Sequence, residues 1–168
     1  MSKKLTWLEK LELLIPGFRG YKKRELLRED DRIVRDYVAS QIGEVIMRLE
    51  DAESAIVDVS LDKARIIEKL IYKLRFLQDR IRYSEAGYAP HFHRYHINEA
   101  ELKKIREVDN TMIDEVNKLR EVGEKLARKT IETLTVDEQL VKQLGSIVSK
   151  LEDILRERIK IIRGWITI

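Results

Sequence analysis

Cysteine is absent from the 168-residue chain, which excludes disulfides, thiolate nucleophiles and cysteine-bound metals. Glycine and proline are scarce, with seven and two copies, so few positions force the backbone out of a helix. No apolar run reaches the roughly 18 residues that a bilayer-spanning helix needs. Nor does a signal-peptide apolar block open the chain, because Lys3 and Lys4 are soon followed by Glu9 and Glu12. A cytoplasmic location is the expectation. Also missing are a Gly-rich phosphate loop, a G-x-S-x-G elbow and an H-E-x-x-H zinc motif, which points away from an enzyme. There is no Glu-x-x-His either, and a di-iron carboxylate bundle requires that pair.

What the chain has in abundance is charge: 38% of residues are charged and 43% apolar. Thirty-three Lys and Arg face thirty Asp and Glu, leaving a net charge of only +3. Such interspersed charge describes solvated helix faces and carries no signature of nucleic-acid binding. The same composition, rich in Lys, Glu and Arg, suits a thermophile.

Apolar residues recur at three- and four-residue spacing almost throughout, which predicts an all-α fold. Leu5, Leu8, Leu11, Leu14 and Ile15 outline a short amphipathic helix over 3–15, and the Pro16 to Gly20 segment then permits a sharp turn. A long helix is predicted over 21–56, with Val34, Val38, Val45, Leu49, Ala52 and Ile56 on its stripe. Asp58 or Ser60 can cap the next, over 60–84, carried by Ala64, Ile67, Leu70, Leu74, Leu77 and Ile81. The stretch from Glu85 to Ile97 has no stripe. Asn98 with Glu101, and Thr135 with Glu138, have capping-box spacing and open helices over 99–134 and 136–163, the latter closing near Gly164. The expected architecture is one domain, 1–168, built as an up-down bundle of four long helices with the short N-terminal amphipathic helix added.

Three features could carry function. His91, His93 and His96, all the histidines of the chain, fall in one stretch and could gather a Zn²⁺ ion. Their spacing matches no strict metal motif, so a surface role without a cofactor is the simpler expectation. Arg19, Lys22, Lys23, Arg24 and Arg28 interleave with Phe18 and Tyr21. With Trp7 on the first helix, they could meet a membrane surface or another anionic ligand. Glu29, Asp30 and Asp31 neutralise this run within a turn, which favours an ordinary solvated face. Finally, the stripes of the second and fourth predicted helices pass through Asp31 and Asp109, where apolar residues belong. Arg28, Arg35, Arg75 or Arg82 could pair with them and fix helix register.

The block Ile15-Pro16-Gly17-Phe18-Arg19-Gly20-Tyr21 precedes Arg24-Glu25, Arg28, Asp31-Arg32 and Arg35. Together with Asp79-Arg80-Ile81-Arg82-Tyr83, Gly87-Tyr88, Glu101-Leu102 and Asp109, it resembles a prokaryotic family of long-helix proteins to which no activity is assigned. The resemblance covers about a third of the chain. It implies a helical fold and a shared structural set of Asp31, Arg35, Arg82 and Asp109. Similar sequences have an apolar, aromatic loop after Gly87-Tyr88, so a metal at the three histidines would be peculiar to this chain. The leading expectation is a non-enzymatic interaction or scaffold protein, with a protein partner or a second copy bound.

Overall fold

The computed structural model describes residues 14–15, 27–84 and 99–164, without the side chains of 27–31, 99, 101–102 and 163–164. Four helices account for nearly all of it: α1 Leu27–Ile56, α2 Leu61–Arg82, α3 Glu99–Thr133 and α4 Glu138–Gly164. The all-α four-helix bundle expected from apolar spacing is the fold observed. Every stripe residue predicted for α2 is buried, and Val34, Val38, Val45, Leu49, Ala52 and Ile56 of α1 are fully so. Among the described residues, no helix is long and apolar enough to cross a membrane. Of the predicted N-terminal helix, Leu14 and Ile15 are described; Leu14 is helical and half-exposed, and Ile15 is buried in the common core. The Pro16 to Gly20 turn, the Asn98 cap and residues 21–26 lie outside the described residues.

Helix direction alternates along the chain, but neighbours are set by two close contacts. Arg120 Nη1 of α3 donates to Gln41 Oε1 of α1 at 3.0 Å, and Gly123 of α3 lies against Val45 of α1. Moving up α1 from Gln41 to Val45 therefore moves up α3 from Arg120 to Gly123, so the two helices run parallel. α1 also packs closely on α2, and α3 on α4, whereas α2 and α4 touch far less. Two antiparallel hairpins thus lie side by side through α1 and α3. The consecutive helices α2 and α3 are diagonal to each other, which only the longer stretch between them, not a four-residue joint, permits.

The two short joints sit together at one end of the bundle. Ser60 caps α2, its extended backbone (φ −158°) letting the hydroxyl accept from Lys63 N at 3.5 Å. Asp62 in the first turn and Arg80 and Arg82 in the last suit the helix dipole. At the second joint the cap differs from the predicted Thr135. Because α4 begins at Glu138, the capping position is Asp137, whose Oδ1 accepts from Gln139 N at 2.9 Å and Leu140 N at 3.1 Å. Thr135 Oγ shares a hydrogen bond with Thr133 instead. Leu134 ends α3 in the left-handed region at φ 50°, where its N–H reaches Thr130 O at 2.9 Å. A residue with a Cβ costs about 1–2 kcal/mol there, and glycine is the usual occupant. Lys63 Nζ reaches Leu134 O at 3.4 Å, tying the two joints together.

Lys129 Nζ also donates to Asp137 Oδ2 at 2.7 Å. This bond, then the amides of Leu140 and Gln139, hold the Asp137 carboxyl below its ordinary 3.8. A carboxylate with a depressed folded pKa stabilises the fold fully above its unfolded value and loses that contribution as pH falls through the lower folded one. The stability gap between wild type and Asp137→Ala should therefore be open at neutral pH and close progressively below about pH 4. Urea unfolding at pH 7 and pH 3 measures it; a gap of equal size at both would refute the account.

Two glycines give opposite expectations. A Cβ on Gly123 would lie 2.5 Å from Cγ1 of the fully buried, β-branched Val45, which has no free rotamer to escape into. Overpacking of this kind costs about 1–3 kcal/mol, outweighing the roughly 1 kcal/mol that alanine gains in a helix. Gly145 of α4 meets nothing within 4 Å. Denaturant titration should show Gly123→Ala destabilised and Gly145→Ala stabilised by about 0.5–1 kcal/mol.

Candidate functional site

The end of the bundle away from the short joints holds its buried charge. Asp109 interrupts the apolar stripe of α3 between Ile105 and Met112, as its spacing predicts, and is completely buried. Its Oδ1 accepts from Nε of Arg158 on α4 at 2.7 Å, with both side chains essentially inaccessible. Arg158 is the functional-looking residue that the sequence reading missed. Its signal was present: Leu144, Val148, Leu151 and Leu155 recur at four and three residues, and the next steps land on Arg158 and Ile162, all buried. The predicted stripe through Ile147 and Ile154 was rotated by one position; both are half-buried at the core margin.

Arg35 is buried as well, near the start of α1. Its Nη1 donates to the backbone carbonyl of Arg82 at 2.9 Å and that of Ser84 at 3.4 Å. It therefore closes the C-terminal end of α2, whose last carbonyls have no helical partner. Arg82 enters this contact through its backbone, while its side chain is exposed. Asp31 lies in α1, but its side chain is outside the described residues, as is that of Arg28. Arg75, another predicted partner for the buried acids, instead bridges α2 to Glu50 of α1 at the surface. Arg35, Arg106, Asp109 and Arg158 each make a further polar, ionic or ring interaction. This end of the bundle is a charged network built on a buried pair.

A second buried acid, Glu115 of α3, accepts from Lys118 Nζ at 2.6 Å. That bond raises the Lys118 ammonium above its ordinary value. Trp7, Arg19, Lys22, Lys23, Arg24, His91, His93 and His96 lie outside the described residues. Among the described residues, no group of three His, Asp or Glu side chains is placed to hold a metal.

Chemistry at the surface is concentrated on α2. Its inner face, Ala64, Ile67, Leu70, Ile71, Leu74, Leu77 and Ile81, is buried. The opposite face carries Tyr72 and Phe76, each 60% exposed, and Tyr83, 78% exposed. Arg80 stands 5.6 Å from the centre of the Phe76 ring, within cation–π range. Lys69 and Lys73 flank the aromatics and are exposed. The packing order explains the exposure: α2 is pressed closely against α1 alone, so its outer surface has no neighbour in the bundle.

Removing one partner of the buried pair strands a charge in the core, which typically costs about 3–5 kcal/mol. Asp109→Leu and Arg158→Met should each show a loss of that order in chemical denaturation. The double variant should lose less than the two singles combined, by about 0.5–3 kcal/mol. Additive losses would mean that the two side chains do not act as a pair.

Set against known protein families, curated proteins and solved structures, the chain matches none of them.

Proposed function

We propose that the protein is a non-enzymatic helical interaction module that docks a protein partner on the outer face of α2. The observation that carries this reading is the row Tyr72, Phe76 and Tyr83, three large aromatics held in water on a helix whose core face is already full. Aromatic rings bring about 150–250 Å² each to a contact and are enriched in the central residues of interfaces, as is arginine, which Arg80 supplies beside Phe76. A rigid helix presents them without ordering cost, since the backbone beneath is already fixed by packing. The buried Asp109–Arg158 pair belongs to the scaffold: it holds α3 and α4 in register and is sealed from any substrate.

Phe76 is exposed, so Phe76→Asp should leave folding intact while removing the docking surface. Affinity enrichment from native cells, with bound protein quantified against the bait, should recover a near-stoichiometric partner or second copy with wild type and not with Phe76→Asp. Equal recovery by both, with unchanged circular dichroism, would sink the assignment to α2.

A further inference from the structure

The outer face of α2 is self-complementary about one residue. Counting from Phe76 in steps that stay on that face, Lys73 lies three residues before and Asp79 three after; Tyr72 lies four before and Arg80 four after; Lys69 lies seven before and Tyr83 seven after. An antiparallel helix laid on this face with its own Phe76 opposite reverses the order. Lys73 then meets Asp79, Tyr72 meets Arg80, Lys69 meets Tyr83, and the two Phe76 rings meet each other. Every opposition is favourable: an ion pair, two kinds of cation–π contact and an aromatic pair, each except the last made twice. Lys69, Tyr72, Lys73, Phe76, Asp79 and Tyr83 are all exposed, and Arg80 is partly so.

We propose that the outer face of α2 is a two-fold dimer interface, in which α2 of a second copy packs antiparallel with Phe76 on the symmetry axis. This rests on the reading of α2 as a docking face and names its occupant. Two-fold association is the commonest oligomeric arrangement and requires a surface that complements itself, which charge reversal about Phe76 provides. A parallel second α2 would set Lys73 against Lys73 and Asp79 against Asp79, so the charges select the antiparallel orientation. The face from Lys69 to Tyr83 spans about 21 Å at 1.5 Å per residue. One helix pair of that length buries less than the roughly 1,200 Å² of standard interfaces, which fits a dimer that dissociates on dilution.

Sedimentation velocity of the full chain over a concentration series reads this directly. The expected result is a reversible monomer–dimer equilibrium, weakened about tenfold or more by Phe76→Asp. Lys73→Asp and Asp79→Lys should each weaken it, because each sets like charges opposite one another across the interface. The double variant Lys73→Asp/Asp79→Lys restores opposite charges and should restore the dimer. Circular dichroism and denaturation of all variants establish that these exposed changes leave the fold intact. A wild-type monomer at every concentration overturns the proposal, as does a dimer indifferent to the single changes or one not recovered by the swap. A monomeric chain that still loses an enriched partner on Phe76→Asp would end self-pairing while leaving α2 as the docking face.

Discussion

The parallel contact of α1 on α3 decides the layout of the molecule. Gly123 brings the α3 backbone against Val45, and Arg120 of α3 reaches across to Gln41. Close backbone approach of this kind needs a residue without a Cβ at the point of contact. Once α1 and α3 form the inner pair, each short joint places the remaining helix beside its sequence neighbour, so α2 and α4 become flanking helices with little mutual contact. The exposure of Tyr72, Phe76 and Tyr83 is thus a consequence of packing order rather than of α2 taken alone.

The buried ion pair works at the other end of the same arrangement. A carboxylate and a guanidinium removed from water return little net stability compared with apolar residues of the same size. What they add is selectivity, because any slip of α3 against α4 would leave both charges buried and uncompensated. The apolar stripes tolerate such slips far better, since leucine and isoleucine contacts are interchangeable to within a kcal/mol or so. Asp109 with Arg158 therefore fixes the second hairpin, as Arg35 on the terminal carbonyls of α2 fixes the first.

Much of this was written in local sequence. Apolar spacing located all four helices, and the Val57 to Ser60 joint made α1 and α2 neighbours, since so short a link can only reverse the chain. Asp109 stood out because a charge in an apolar stripe breaks the pattern. Arg158 did not, because a stripe drawn through Ile147 and Ile154 passes it by; the true stripe, one position over, leads to it from Leu155. The capping residue of α4 was misplaced for a similar reason. Thr135 and Glu138 have the right spacing, but the helix starts at Glu138, and only Asp137 has a carboxylate beside the free amides. The parallel pairing of α1 with α3 has no local signal. It depends on where helices meet in space, and a long connection such as that between α2 and α3 leaves the choice open.

The outer face of α2 shows a further limit of reading by periodicity. A search for stripes treats a row mixing Lys, Tyr, Phe, Asp and Arg as an ordinary solvated surface, since its mean character is polar. Its information lies in order rather than composition: reversing the helix about Phe76 exchanges Lys73 with Asp79 and Tyr72 with Arg80. Symmetry of that sort matters only for a surface that no other part of the bundle covers, and packing leaves α2 in that position. The same face turned toward α4 would have been constrained by its neighbour, and its charges would have been fixed within one chain rather than between two.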